Sequence, residues 1–262
     1  MQARVGYDLK LKGKRALVTG ASRGIGAAIA SALAKEGASL FLNYTKSEER
    51  ANSVANSIRQ DTGAEVALLR ADVSNKSEVD RMFATIRSHE SGNLDILVNN
   101  AGLADPSIWN ARFEEIDSKM WERVFSVDLL GTFLCTQGAA PMLRNSANGG
   151  RVINISSTPV LTGDDVGIVY SSIKAGVLTL TKNLARLLAP RINVNCMILG
   201  SVETDWVSWL STEQIEVLKR AIPLHRFGFP AEVANVAVFF ASDESSYVTG
   251  QGLVVDGGEV MR

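Results

Sequence analysis

The sequence predicts a doubly wound α/β fold, a parallel seven-stranded sheet with helices on both faces. Three observations carry this expectation. Short apolar runs alternate with longer amphipathic stretches along almost the whole chain, the pattern of repeated βαβ units. The apolar runs are continuous, as strands covered on both faces must be. No internal repeat, low-complexity tract or Pro/Gly/Ser linker divides the 262 residues, a length that one α/β domain can accommodate.

In chain order, strands are expected at 15–19 (RALVT), 39–43 (SLFLN), 65–70 (EVALLR), 94–99 (LDILVN), 151–156 (RVINIS), 192–197 (INVNCM) and 253–256 (LVVD). Helices are expected near 25–36, 47–60, 76–90, 118–144, 168–188 and 231–241. Residues 200–229 break the alternation. They hold Trp206, Trp209 and a short helical segment, and they read as a lid over a site within a single domain spanning 1–262.

Composition narrows the function. Hydrophobic residues form 46% of the chain, enough for a substantial core, and the net charge is −1 with no long basic run. Nucleic acid and anionic membranes are therefore not the expected partners. Cys135 and Cys196 lie in apolar stretches and are too few for a disulfide framework, so they read as reduced core residues of a cytoplasmic protein. The opening MQARVGYDLKLKGKR is basic but lacks the apolar core of a signal peptide, and no apolar run is long enough to span a bilayer. His89 and His225 stand apart from each other and from both cysteines, so no metal site is expected.

The chemistry begins after the first strand, at TGASRGIG (19–26). Gly20, Gly24 and Gly26 sit where a strand hands over to a helix. Glycine suits the tight turn and lets backbone N–H groups approach a pyrophosphate at a helix N-terminus. The same stretch contains Gly20-Ala21-Ser22-Arg23-Gly24, a literal G-x-S-x-G nucleophile elbow. A hydrolase would need an acid and a histidine downstream, and neither His89 nor His225 has such a context. A dinucleotide site usually carries an acidic residue about 20 residues past the glycine turn, on the ribose 2′-hydroxyl. That position here holds Asn43 or Tyr44. Without a carboxylate to repel a 2′-phosphate, and with Arg23 and Lys46 able to reach one, NADP is favoured over NAD.

At 170–174 the chain reads YSSIK. Tyr170 and Lys174 are four residues apart, on one helix face. A free tyrosine titrates near 10, too high for efficient acid–base work at neutral pH, and a nearby positive charge is expected to lower it. The pair reads as an acid–base unit beside a hydride donor.

Four stretches now agree: TGASRGIG after the first strand, NNAG (99–102) after the fourth, NISS (154–157) ending the fifth, and YSSIK 13 residues after Ser157. In this order they resemble the short-chain dehydrogenase/reductase family, from about Lys12 to Gly258, with VTGQGLVVDGG (248–258) similar to its last strand. The resemblance implies a Rossmann-type catalytic domain that transfers a hydride between NADP(H) and a carbonyl or secondary alcohol. It implies that Ser157 hydrogen-bonds the substrate oxygen, Tyr170 exchanges the proton on it, and Lys174 holds the nicotinamide ribose and favours the tyrosinate. Ser22, Arg23 and Ile25 would serve the phosphates with the three glycines. Asp72 and Val73 would border the adenine, and Asn99, Ala101 and Gly102 would line the cofactor pocket. Gly200, Val202 and Thr204 would lie near the nicotinamide.

Two positions depart from the family. In VFSVDLLGTF (124–133), Asp128 stands where the family carries an asparagine that anchors a proton-relay water. It is the one charge between Arg123 and Arg144, so a buried Asp128 must be paired, hydrogen-bonded or protonated. It is expected to replace the asparagine in a working site, with an effect on the proton path or its pH dependence as the alternative. In MILGSVETDW (197–206), Leu199-Gly200 replaces the usual Pro-Gly. The layout is most similar to 3-oxoacyl-carrier-protein reductases, through NYTKSEE and VETDW. An NAD-dependent sugar, polyol or steroid alcohol dehydrogenase is the alternative, and a non-catalytic dinucleotide-binding regulator is a second. Trp109, Trp206 and Trp209 are candidates for the substrate side. The resemblance also implies a homotetramer built through the helices at 118–144 and 168–188.

Overall fold

The computed structural model describes residues 9–89 and 92–261, without the side chain of Trp206. Seven strands form one parallel sheet: β1 (Arg15–Val18), β2 (Ser39–Tyr44), β3 (Val66–Arg70), β4 (Ile96–Asn99), β5 (Gly150–Ser157), β6 (Ile192–Leu199) and β7 (Gly252–Val255). Their spatial order is β3-β2-β1-β4-β5-β6-β7, and every pairing is parallel. The helices are α1 (Gly24–Lys35), α2 (Glu48–Thr62), α3 (Lys76–Ser88), α4 (Pro106–Trp109), α5 (Ser118–Val124), α6 (Gly131–Arg144), α7 (Pro159–Thr162), α8 (Ile168–Leu188), α9 (Thr212–Ala221) and α10 (Pro230–Ala241).

The strands read as apolar throughout because each face buries its own residues. Ala16, Val18, Leu40, Leu42, Ile96, Val98, Ile153 and Ile155 pack with Ile29 and Leu33 of α1 and Val233 and Ala237 of α10. The intervening Leu17, Phe41, Leu97, Val152 and Val194 pack with Phe83 and Ile86 of α3, Leu134 and Leu143 of α6 and Leu184 of α8. Two such layers, made almost entirely of fully buried aliphatic groups, supply the main folding drive. A third cluster of Ile108, Val124, Val169 and Ile173 ties α4 and α5 onto α8. Gly138 shows how tightly α6 packs: a Cβ there would lie 2.3 Å from the Phe83 ring.

The continuous helix expected over 118–144 is broken. A π-helical segment, Phe125–Leu130, joins α5 to α6, and Asp128 lies within it, 1% exposed. Such segments re-aim side chains and recur at functional sites. The break at 200–229 is an excursion closed at its base, where Val202 pairs with Gly228, Gly228 N–H donates to Ser201 O (2.9 Å) and Glu203 N–H donates to Gly228 O (2.9 Å). It carries a 3₁₀ turn at Asp205–Val207 and then α9, whose start Ser211 and Gln214 cap reciprocally. Among the described residues no helix is long and apolar enough to cross a membrane.

Candidate active site

Strand order reverses between β1 and β4, and a crevice at the carboxyl ends of the strands is where such sheets bind ligands. The glycine turn sits there. Gly20 (φ +62°) and Gly24 (φ +54°) occupy left-handed conformations that a side chain disfavours. A Cβ on Gly26 would lie 2.4 Å from Asn100 Nδ2 and 2.6 Å from Gly20 O. The NNAG segment clamps this turn. Thr19 Oγ1 accepts from Asn100 N–H and Ala101 N–H at 3.0 Å each, and Asn100 Nδ2 donates to Thr19 O (2.9 Å) and Gly20 O (3.1 Å). No side chain caps α1, and its first turn has no acidic residue. Its N–H groups and positive dipole end are thus free of a built-in anion, so the cradle fits a pyrophosphate.

The expected cofactor residues divide by position. Ser22 and Ile25 are half-buried beside the glycines, and Lys46 is exposed after β2. Asn43, 1% exposed, takes Gly20 N–H on Oδ1 (3.2 Å) and donates through Nδ2 to Leu69 O and Ala71 O. Its amide shapes the turn from below. Tyr44 is buried at the end of β2, and Val73 is buried where a Cβ on Gly131 would meet it. Asp72 Oδ1 accepts from both the N–H and the hydroxyl of Ser74. Asn99 is also buried: Nδ2 donates to Thr136 Oγ1 (3.0 Å) and Asn154 Oδ1 (2.8 Å), and Asn154 Nδ2 donates to Thr181 Oγ1 (2.9 Å). This polar rung ties α6 to α8 through the sheet.

Arg23 Nη1 lies 2.7 Å from Asp205 Oδ2 in the 200–229 excursion, and Arg50 Nη1 reaches the same oxygen at 3.3 Å. Arg50 was not anticipated, because nothing in the sequence signals a contact across 155 residues. The two arginines hold the Asp205 carboxyl below its ordinary range, chiefly through the Arg23 hydrogen bond. Thr204, next to Asp205, lies against Gly24, where a Cβ would sit 3.6 Å from Thr204 Cγ2. Val202 is buried at the base of the 200–229 excursion, and Gly200 packs against Asp256 and Glu259.

The residues expected to react meet at the ends of β5 and β6 and the start of α8. Ser157 ends β5, its Oγ donating to Leu199 O (3.3 Å) and its side chain hydrogen-bonding Tyr170. Tyr170 lies in the first turn of α8 and Lys174 one turn on, with Nζ 5.5 Å from the Tyr170 ring centre. Lys174 Nζ donates to Ile155 O (3.1 Å) and lies 2.9 Å from Asp128 Oδ1. Asp128 Oδ2 accepts from Leu103 N–H (2.9 Å). The buried carboxylate expected to need a partner has one. A Cβ on Gly102 would come within 3.0 Å of Asp128 Oδ1, so glycine there admits the carboxylate.

The Lys174 charge lowers the Tyr170 phenol as expected but does not prevail: the phenol sits above its ordinary value. Burial pushes it up most, the Lys174 charge pulls it down, Asp128 pushes it up again and the Ser157 hydrogen bond lowers it. For Lys174, burial favours the neutral amine, but the Asp128 charge and then Tyr170 outweigh it and the ammonium is favoured. Cys196 and Cys135 are free, buried and pushed up by burial to about 12, so both are inert thiols.

Trp109 flanks the tyrosine. Its ring lies 5.3 Å from that of Tyr170 at 63°, and Gly167 N–H donates to Trp109 O (2.9 Å). A Cβ on Gly167 would be 2.8 Å from the indole. Trp209 is half-buried in the 200–229 excursion, and the expectation for the Trp206 side chain lies outside the described residues. The elbow reading of Ser22 finds no support. The histidine–carboxylate pair among the described residues is His89–Glu65, at the opposite end of the strands from the glycine turn.

Comparison with known proteins agrees with this geometry. The family model described as enoyl-(acyl carrier protein) reductase matches residues 20–259. The 3-oxoacyl-[acyl-carrier-protein] reductase FabG of Aquifex aeolicus is 41% identical over 252 residues, covering 96% of this chain and 99% of that protein. A solved dehydrogenase/reductase from Sinorhizobium meliloti 1021 superposes with a TM-score of 0.88 at 36% identity, covering 97% of this chain and 98% of the other. A short-chain dehydrogenase/reductase from Brucella melitensis, titled glucose/ribitol dehydrogenase, gives 0.88 at 29% identity over 98% and 100%. The chain belongs to the short-chain dehydrogenase/reductase family. It is an oxidoreductase of the CH–OH/C=O class.

Proposed function

We propose that this chain is an NADP(H)-dependent reductase of 3-oxoacyl thioesters or related ketones, acting as one catalytic domain with residues 200–229 as its lid. The observation that carries the reading is the convergence of Ser157, Tyr170 and Lys174 beside the uncapped start of α1. The bound nicotinamide supplies the hydride. The chain does the rest: the Ser157 hydroxyl donates to the substrate oxygen, and Tyr170 Oη gives that oxygen its proton as the carbonyl becomes an alcohol. Lys174 holds the ribose side of the site. Gly20, Ser22, Gly24, Ile25 and Gly26 would hold the pyrophosphate, Asp72 and Val73 would border the adenine, and Ala101, Gly102, Gly200, Val202 and Thr204 would line the nicotinamide end.

NADP is supported by the cations Arg23, Lys46 and Arg50 around a β2 end without a carboxylate. The acyl-thioester class is supported by the named Aquifex relative. Exposed Trp121, Phe125 and Phe133 near α5 and α6, with Ile168 and Leu187 on α8, support a homotetramer through those helices. Two free buried thiols suit the reducing cytoplasm.

One observation favours a sugar or polyol substrate instead. Glu259 Oε2 is buried without a hydrogen-bond partner, close to where a Cβ on Gly200 would sit, and can accept a substrate hydroxyl. Steady-state assays of NADPH and NADH against short 3-oxoacyl thioesters, simple ketones and polyols separate the readings. Thioester reduction with NADPH is the expected result. Turnover confined to NAD⁺ and polyols would refute it.

A further inference from the structure

We propose that Asp128, by engaging the Lys174 ammonium in a buried ion pair, raises the pH at which Tyr170 ionises and with it the pH at which alcohol oxidation turns on. The proposal rests on the role given above to Tyr170. Its substance is a charge balance. The Asp128 side chain is 0% exposed and that of Lys174 6%, with the two charged groups 2.9 Å apart. Solvent does not screen such a pair, so the carboxylate cancels much of the field that the ammonium would exert on the phenol.

The pair is held from several sides. The π-helical segment turns Asp128 inward, Thr132 Oγ1 donates to its carbonyl (2.7 Å), and Leu103 N–H holds Oδ2. Ile155 O fixes Lys174 Nζ from β5, and Ser156 Oγ donates to the Lys174 carbonyl (3.0 Å). The groups facing Tyr170 are Lys174 on its own helix, Asp128 from the π segment, Ser157 from β5 and the neutral Trp109 ring from α4. Cys196 of β6 faces Lys174 and is a neutral thiol. Burial disfavours the phenolate, and Lys174, the cation among these groups, is neutralised by Asp128.

The consequence for catalysis is limited by thermodynamics. At a given pH the ratio of the two directions follows the reaction equilibrium, which no residue alters. What Asp128 sets is where both profiles break. Reduction needs the protonated phenol and stays on a plateau up to its pKa. Oxidation needs the phenolate and climbs with pH to the same point. Asn at 128 preserves shape and removes the charge.

The test is a carbon-13 NMR titration of the full-length, cofactor-free protein, labelled at tyrosine Cζ, with Tyr170 assigned by its loss in Tyr170→Phe. In the native protein Tyr170 is expected to titrate above a free tyrosine, and in Asp128→Asn at least about one pH unit lower than in the native protein. The breaks in the reduction and oxidation profiles should move by the same amount. A native Tyr170 that ionises more readily than a free tyrosine, or an Asp128→Asn protein with an unmoved midpoint, would overturn the proposal. If Asp128→Asn does not fold, Asp128→Ser, which also removes the charge, carries the same comparison with the native protein. The titration uses no substrate, so lack of turnover on every carbonyl would refute the reductase reading and leave the charge balance to stand on the NMR result.

Discussion

Replacing Gly26 with alanine tests the cofactor cradle most sharply. The new Cβ would lie 2.4 Å from Asn100 Nδ2, 2.6 Å from Gly20 O and 3.1 Å from Ala21 Cα. Two of these three neighbours are backbone, so the strain cannot be relieved by a rotamer change. Overpacking of this kind costs about 1–3 kcal/mol. Asn100 must also give up its hydrogen bonds to Thr19 O and Gly20 O, at about 1 kcal/mol each. Alanine returns about 1 kcal/mol in helix propensity within α1. The net is a destabilisation of roughly 2–4 kcal/mol, or roughly 5–15 °C in Tm for a chain of this size. The same displacement opens the turn, so NADPH affinity should fall at least about tenfold, which is roughly 1.4 kcal/mol. Thermal melts with and without NADPH, and nicotinamide fluorescence titration, read both effects. An alanine variant with native Tm and native NADPH affinity would refute the claim that this close approach builds the site.

Four further outcomes are expected. Tyr170→Phe should lower the turnover of ketone reduction by about 10²–10⁴ while binding NADPH normally, read by steady-state kinetics beside fluorescence titration. Arg23→Ala with Arg50→Ala should erase the preference for NADPH over NADH, and because their pairs with Asp205 are exposed, stability should change by less than about 1 kcal/mol. Trp109→Ala removes the ring packed on Tyr170 and should raise KM for bulky ketones more than it lowers turnover. Arg226 and Phe229 N–H hold Glu232, at the start of α10, down to about 2. Its folded-state pKa is depressed, so its stabilisation is complete above the ordinary carboxylate value and is lost as the pH falls towards about 2. Glu232→Gln should therefore lower stability at pH 7 and make little difference near pH 2, measured by urea unfolding at each pH.

Most of the fold was legible because the sheet is buried on both faces. Continuous apolar runs between amphipathic stretches placed all seven strands within about two residues. The glycine turn and the Tyr170–Lys174 spacing were legible because they are local: each depends on a few consecutive residues. Groups that act at a distance were not. Asn43 stood out for what it is not, a carboxylate, but its amide serves the Gly20 turn and the β3 carbonyls. The π-helical segment has no sequence period of its own, so residues 118–144 read as one helix. The rung from Thr136 through Asn99 and Asn154 to Thr181 joins residues far apart in sequence, where each polar group looks like an isolated flaw in an apolar stretch. The lysine lowers the Tyr170 phenol as its spacing suggests, but what opposes it was hidden for the same reason. Spacing put Lys174 beside the tyrosine, while the burial and the Asp128 charge that outweigh it come from the fold.

The measurement that bears most directly on the central claim is a single-turnover reaction of the NADPH-loaded protein with an acetoacetyl thioester, followed by the loss of nicotinamide fluorescence. The native chain should consume its bound NADPH in one exponential phase, and the Tyr170→Phe chain, equally loaded, should retain it. A Tyr170→Phe chain that oxidises NADPH at the native rate would contradict the account.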